Sequence, residues 1–303
     1  MNSVAKELLQ EVAGFHSIPQ GAFNIRENGK LVDRKNIDGI EIVTKKEQQG
    51  IDIIIKNNTK NQSVHLPVII TKSGIDDLVY NDFYIGDNCD ILIVAGCGIH
   101  AEKGKSSHNG IHTFHIGKNS KVKYVEKHMG LGNAEEKILN PVTKINLGKG
   151  SELVMETTQI KGVTFSNRKT NALVGEDAKL IIKEKILTTE NQKANSDFKV
   201  ALNGNDSKCE VVSRVVAKDN SCQNFKSTVI GNKSCYGRVE CDGILVGNAK
   251  IKSTPTVSAN NIDANLTHEA SIGKIAGDEL VKLMTLGLTE KEAESFIIKG
   301  FLK

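Results

Sequence analysis

A glycine recurs about every thirty residues through the middle and late chain, each time opening a four-residue corner between two apolar runs. The corners are Gly-Asp-Asn-Cys from Gly86, Gly-Lys-Asn-Ser from Gly117, Gly-Lys-Gly-Ser from Gly148, Gly-Glu-Asp-Ala from Gly175, Gly-Asn-Asp-Ser from Gly204 and Gly-Asn-Lys-Ser from Gly231. Successive glycines are 31, 31, 27, 29 and 27 residues apart. Glycine admits a positive φ at a tight corner, and Asn or Asp beside it tolerates the same region. The flanking runs, such as Ile91–Val94, Lys121–Val125, Glu152–Thr157 and Cys209–Val216, are short and rich in β-branched residues, as strands are. A unit of this length buries its apolar face only against its neighbours, which predicts a stacked β-solenoid. Strand–turn–strand is also the pattern of a hairpin, so a large antiparallel sandwich stays open at this point. The absence of long helical crossovers argues against a βαβ fold.

Ahead of the repeat, Ser3–Ala13 places Val4, Leu8 and Val12 on one helical stripe, with Gly14 as its stop. Polar loops and short strand-like runs follow to about Asn61, their Lys-rich connections reading as a solvated face. After the repeat the pattern turns helical. Asp278 is expected to cap a helix through about Leu286, Gly287 to end it, and Thr289 with Glu292 to form a capping box for a second helix. Leu280, Leu283, Met284, Phe296, Ile297 and Phe301 supply the apolar faces. The expected organisation is a lead-in over 1–63, a β-core over 64–274 and a helical subdomain over 275–303.

Composition narrows the function. The net charge of +4 is spread along the chain, aromatic residues make up 4% and Trp is absent, so stacking platforms for single-stranded nucleic acid are scarce. No apolar run is long enough to cross a bilayer, and the first ten residues lack the apolar core of a signal peptide. The expectation is a cytoplasmic protein with no nucleic-acid or membrane partner. Six cysteines without a Cys-x-x-Cys pair (Cys89, Cys97, Cys209, Cys222, Cys235, Cys241) make neither a disulfide scaffold nor a zinc ribbon. No phosphate-binding Gly-x-x-x-x-Gly-Lys-Ser/Thr loop is present, so ATP hydrolysis is not expected of the chain. His100, His108, His112 and His115 follow Cys97 closely. Their spacing fits no compact helical metal site, and they read as imidazoles scattered on a wet loop.

Three late segments carry a resemblance: Cys241 to Gly247, Thr267 to Ile275 and Gly287 to Phe301. With the chain from about residue 66 onward, they resemble the SufB/SufD family of scaffold proteins for iron–sulfur cluster assembly. The resemblance implies a mainly β fold: a right-handed β-helix (β-solenoid) core with a short N-terminal helix and a C-terminal helical subdomain. It also decides between solenoid and sandwich. The cysteine at 241 is similar to that of the SufB branch and implies a ligand of the nascent cluster. Ala95-Gly96-Cys97 is similar to the family's Glu-Gly-Cys, implying that Cys97 accepts sulfur. Thr267-His268-Glu269 stands where the family has Glu-His-Glu, implying Glu269 and, ranked below it, His268 as further iron ligands. The Gln and Trp that the family carries after the following Lys-Tyr segment are replaced near His128 and Gly130.

By the same resemblance, a SufC-like ABC ATPase is expected on Leu283, Leu286, Phe296 and Phe301. A second copy is expected at the Cys241 end, giving a homodimer, with a cysteine desulfurase or sulfur carrier as sulfur donor. The cargo is a transient iron–sulfur cluster, and no residue of the sequence supports a flavin. Taken alone, a free cysteine reads as a packing residue, and the motif around Cys241 reverses that. Cys222 and Cys235 are reserve ligands, Cys209 reads as packing, and Cys89 fills the small-residue slot of a corner. Two other readings are a β-solenoid enzyme acting on carbohydrate or acyl substrates, and a purely structural solenoid. The first lacks a paired Asp/Glu constellation, and the second gives no reason for a thiol near a Thr-His-Glu segment.

Overall fold

The computed structural model describes residues 3–13, 19–132, 136–160 and 162–303. Its elements in order are α1 (Ser3–Ala13), β1 (Ala22–Glu27), β2 (Lys30–Lys35), β3 (Ile40–Thr44), β4 (Gly50–Ile55), β5 (Lys60–Ile70), β6 (Asp76–Ile85), β7 (Asp90–His100), β8 (Lys105–Ile116), β9 (Lys121–Leu131), β10 (Glu136–Leu139) and β11 (Val142–Leu147). They continue with β12 (Glu152–Gln159), β13 (Phe165–Val174), β14 (Lys179–Thr188), β15 (Lys193–Leu202), β16 (Ser207–Ala217), β17 (Cys222–Gly231), β18 (Cys235–Leu245), β19 (Lys250–Ala259), β20 (Ala264–Lys274), α2 (Gly277–Thr285) and α3 (Glu290–Phe301). Alternate strands join two facing sheets. One runs β2-β1-β5-β7-β9-β12-β14-β16-β18-β20, and the other runs β19-β17-β15-β13-β10-β8-β6-β4-β3, with β11 between β13 and β8. From β5 and β6 onward the pairing is parallel, the signature of a β-solenoid, here of about eight turns.

Inward side chains alternate with outward ones along each strand, as the pleat requires. Ile, Val, Leu and Phe ladders fill one side of the interior, including Phe83 stacked on Phe114 with ring centroids 4.3 Å apart. The corners work differently from the expectation. Positive φ falls on the third corner residue (Asn88, Asn119, Gly150, Asp177, Asp206), not on the leading glycine. The leading glycines are needed for space: a Cβ at Gly204 would lie 2.0 Å from the Glu176 backbone nitrogen, and one at Gly175 would lie 2.6 Å from the Leu147 carbonyl oxygen. Each coil lies directly on the previous corner, leaving no room for a side chain. Gly204→Ala is therefore expected to cost about 1–3 kcal/mol in denaturant unfolding. Gly300→Ala, with nothing within 4 Å, should gain about 0.5–1 kcal/mol.

The two ends of the solenoid differ. At the first, the antiparallel pairs β1–β2 and β3–β4 turn the chain back on itself. There α1 buries Leu8 and Val12 against the outer face of β7, where Gly96 and Gly98 allow the approach. The side chain of Val4 and the Gly14 stop lie outside the described residues. At the other end, β19 and β20 are the last strands of their sheets and are largely exposed on both faces.

The helical tail matches the expected pair of helices with one correction. Ala276, not Asp278, is the N-cap of α2, and it makes no side-chain cap; Asp278 sits inside the first turn, where its charge favours the positive end of the helix dipole. Gly287 ends the helix at φ +94°, and the Thr289–Glu292 capping box opens α3. Lys218 pairs with Glu294 at 2.6 Å, and Lys185 donates to the carbonyl of Lys303, tying the tail to the outer face of the first sheet. Among the described residues no helix is long and apolar enough to cross a membrane.

Candidate functional site

Strand register aligns residues from distant coils into interior rows. In the first sheet one row reads Ala95, Glu126, Thr157, Glu184, Ser213, Cys241, Ala270. The adjacent row holds Cys97 beside His128 and then Gln159. Across the interior, the second sheet contributes Arg168, Ser196, Phe225 and Ser253 in one row. A solenoid with an apolar side and a polar side is the result, and Cys97 and Cys241 lie toward opposite ends of the polar side. Five strand spacings separate them, about 24 Å.

The polar side is a connected network. Arg168 donates to Glu126 at 2.8 Å and to His128 Nδ1 at 3.2 Å, and its Nε lies 3.6 Å from Glu184. Glu184 accepts from Ser196 at 2.7 Å and from Ser213 at 2.8 Å. Burial pushes the Glu126 carboxyl up, but His128 and Arg168 beside it outweigh that and hold it well below the usual carboxylate range. Burial also pushes Glu184 up; Arg168 and the two hydroxyls offset only part of it. The Thr157 hydroxyl, in the row between the two glutamates, is buried without a partner, as are those of Thr170 and Ser227.

Both sulfur-bearing candidates are buried. Cys97 is 1% exposed and packs with Val68, Ile70, Ile99, Ala101 and Leu139. Burial, then the nearby Asp77 and Glu126 carboxylates, push its thiol well above the ordinary value. Cys241 is fully buried one coil below the bare end, with its thiol pushed up to about 11 by burial and the Ser253 hydroxyl as a counter-influence. At neutral pH both are therefore thiols, so reaction at either needs the surrounding coils to open.

The structure does not bring Cys241 and Glu269 together. Cys241 lies opposite Ala270 in the register, and the pleat turns residue 269 to the outer face, where Glu269 pairs with Arg238 at 3.0 Å. His268 is the one that shares the inward face with Cys241, diagonally across the β18–β20 pair. Its Nε2 is buried without a hydrogen-bond partner, and burial lowers its pKa, so the ring is neutral and a lone pair is available. Among the described residues no group of three or more His, Cys, Asp or Glu is arranged to hold a metal ion. Cys222 is half-buried, while Cys89, Cys209 and Cys235 are buried in the core.

The histidines after Cys97 are not on a wet loop. His100 is the last residue of β7, and the other three belong to β8, which turns His108 and His112 inward and His115 outward, where it stacks on Tyr84 at 5.1 Å. Asp77, Tyr124, Glu126, Arg168 and Glu184 escaped the sequence reading, which had noted His108 and His112 only as scattered imidazoles. The signal for them was present in the repeat: Asp77 and His108, like Glu126 and Thr157, are 31 residues apart, one coil of the Gly86–Gly117 spacing. In the tail, Leu286 and Phe296 are 79% and 64% exposed, while Leu283 and Phe301 are half-buried.

Parallel coils, a polar interior with a thiol toward each end and a bare terminal edge define the chain as a β-solenoid. The description "SUF system FeS cluster assembly, SufBD core domain" matches residues 84–301. The chain belongs to that family, and membership implies iron–sulfur cluster assembly. An iron–sulfur cluster assembly SufBD family protein of Methanocaldococcus jannaschii is 29% identical over 284 residues, covering 92% of this chain and 89% of its own length. One of Pyrococcus horikoshii is 28% identical over 279 residues, covering 90% and 84%. One of Synechocystis is 29% identical over 177 residues, covering 56% and 37%.

Proposed function

We propose that this chain is the scaffold on which a new iron–sulfur cluster is built: Cys97 receives sulfur as a persulfide, and the cluster forms at Cys241. The observation that carries the reading is the polar row Glu126–Thr157–Glu184–Ser213, which begins diagonal to Cys97 and ends on Cys241 on the polar side of the solenoid interior. A purely structural core has little use for two buried glutamates and an unpartnered Thr157 hydroxyl along one line, with a buried arginine facing them. At about 24 Å the two thiols are too far apart for direct exchange; a thiol reductant supplies the two electrons that release the outer sulfur of the Cys97 persulfide as sulfide, itself becoming a disulfide, and the sulfide passes along the row. Cys241 supplies the soft thiolate and His268 the borderline nitrogen that suit iron. Glu269, exposed on the outer face of the same edge strand, meets incoming iron first.

The bare edges of β19 and β20 are long templates for strand pairing, which supports self-association at the Cys241 end. Two copies then bring two thiols and two imidazoles to one junction. A SufC-like ATPase binds the exposed apolar surface of α2 and α3, and its cycle opens the junction to expose the buried thiols. A desulfurase or sulfur carrier of the cytoplasm is the donor.

Anaerobic reconstitution with iron and sulfide tests the reading. The wild-type chain should gain visible absorption of a cluster and run as two copies by light scattering. Cys241→Ala should lose most of that absorption. Cys97→Ser should keep it with inorganic sulfide but lose it when sulfur is supplied as a protein persulfide. Full cluster formation by the Cys241→Ala chain sinks the proposal.

A further inference from the structure

His108 and His112 lie four residues apart on β8, both pointing into the solenoid over Gly110. Each ring is held through Nδ1. His108 Nδ1 is 2.9 Å from Asp77 Oδ2, and that carboxylate is bound in turn by Arg26 at 2.9 Å and by Gln49 at 2.9 Å. His112 Nδ1 is 3.2 Å from the Tyr124 hydroxyl, which donates to Glu126 at 2.8 Å. These contacts determine the tautomers. An ionised carboxylate only accepts, so His108 Nδ1 carries the proton it donates to Asp77. The single Tyr124 proton goes to Glu126, so the Tyr124 oxygen accepts from His112 Nδ1–H. In the neutral rings, both Nε2 atoms are left with a lone pair.

The two lone pairs converge. A Cβ built on Gly110 would lie 2.6 Å from His112 Nε2 and 3.4 Å from His108 Nε2. Only glycine leaves this space open, and two acceptors cannot satisfy each other across it. Either a water gives both its protons to the pair, or a cation sits between them. An imidazole tied through Nδ1 to an oxygen, with its Nε2 free, is the arrangement of metal-bound histidine. Three carboxyl groups (Asp77, Glu126, Glu184) face two guanidinium groups (Arg26, Arg168) in this part of the interior, which leaves it receptive to positive charge. His108 and His112 keep a little accessible surface, 6% and 8%.

We infer that His108 and His112 bind a borderline divalent transition ion of the zinc class through their Nε2 atoms, over Gly110, with water completing the coordination. The site is separate from Cys241, and the inference does not rest on cluster assembly there. Two imidazoles hold the ion in an open coordination shell, near the buried Cys97 thiol and the Glu126 network.

The test is an anaerobic titration of the metal-stripped full chain carrying Cys241→Ala with Co2+, read by visible ligand-field bands. One equivalent should bind. His108→Gln and His112→Gln, added singly to that background, should each weaken it by at least about tenfold, and Tyr124→Phe, which frees His112 Nδ1, should weaken it about 10–100-fold. Absence of binding in the parent chain (a bridging water only), or unchanged binding in both histidine variants, overturns the inference. Should the variants fail to fold, zinc K-edge absorption of the zinc-loaded wild-type chain decides instead. Two imidazole ligands are expected, and a shell of sulfur alone or oxygen alone rejects the site.

Discussion

Arg168→Met should lower the stability of the fold by about 3–5 kcal/mol at neutral pH, because removing one member of a buried charge network strands the others. Arg168 is 5% exposed and is the cation shared by Glu126 and Glu184; methionine fills a similar volume without the charge. The deficit should shrink with acid. Glu126 is held below the usual carboxylate range in the fold, so its contribution is fully present above the unfolded carboxylate value and is lost as pH falls through the folded value. Without Arg168, burial pushes both glutamates up, so they take protons at a higher pH than in the wild type, which removes the stranded charges. Urea unfolding of both proteins at pH 7 and pH 5 measures the difference. An equal deficit at both pH values rules out the electrostatic account. If the same variant also slows cluster formation from a Cys97-borne persulfide but not from free sulfide, the network serves transfer as well as folding.

The second large effect is expected on the tail. Leu286→Ala combined with Phe296→Ala should weaken ATPase binding by about 2 kcal/mol or more, roughly 30-fold, since large exposed apolar side chains on rigid helices are typical interface anchors. Both lie on the surface, α2 buries no residue, and α3 is held by Ala293, Ile298 and its capping box. The melting temperature should therefore stay within a degree or two of wild type. Calorimetric titration with a SufC-like ATPase checks the affinity. Undiminished affinity in the double variant moves the ATPase elsewhere on the molecule.

Much of the architecture could be read from residue order. The corner tetrads gave the coil length, and the Thr289–Glu292 pair and Gly287 placed the helical tail. The role assigned to the corner glycines was only half right, because crowding between successive coils is a property of the stack and appears in no single corner. Asp278 was read as a cap on residue type, whereas the chain enters α2 two residues earlier. Cys241 and Cys97 stood out through their motifs, and the motif also drew attention to Glu269. The pleat of β20 then turned that carboxylate outward and His268 inward, a distinction of one residue that motif matching does not resolve.

The chain by itself determined a strand-and-corner recurrence of about thirty residues, because local turn chemistry and β-branched alternation act over a few neighbouring residues. Which charged groups meet inside was decided only when the coils stacked. Glu126, Arg168 and Glu184, like Asp77 and His108, are remote in sequence and become neighbours through register. A buried charge is tolerable only where its partner also arrives. The polar side of this solenoid, with its two thiols and its converging imidazoles, is therefore a product of the assembled fold.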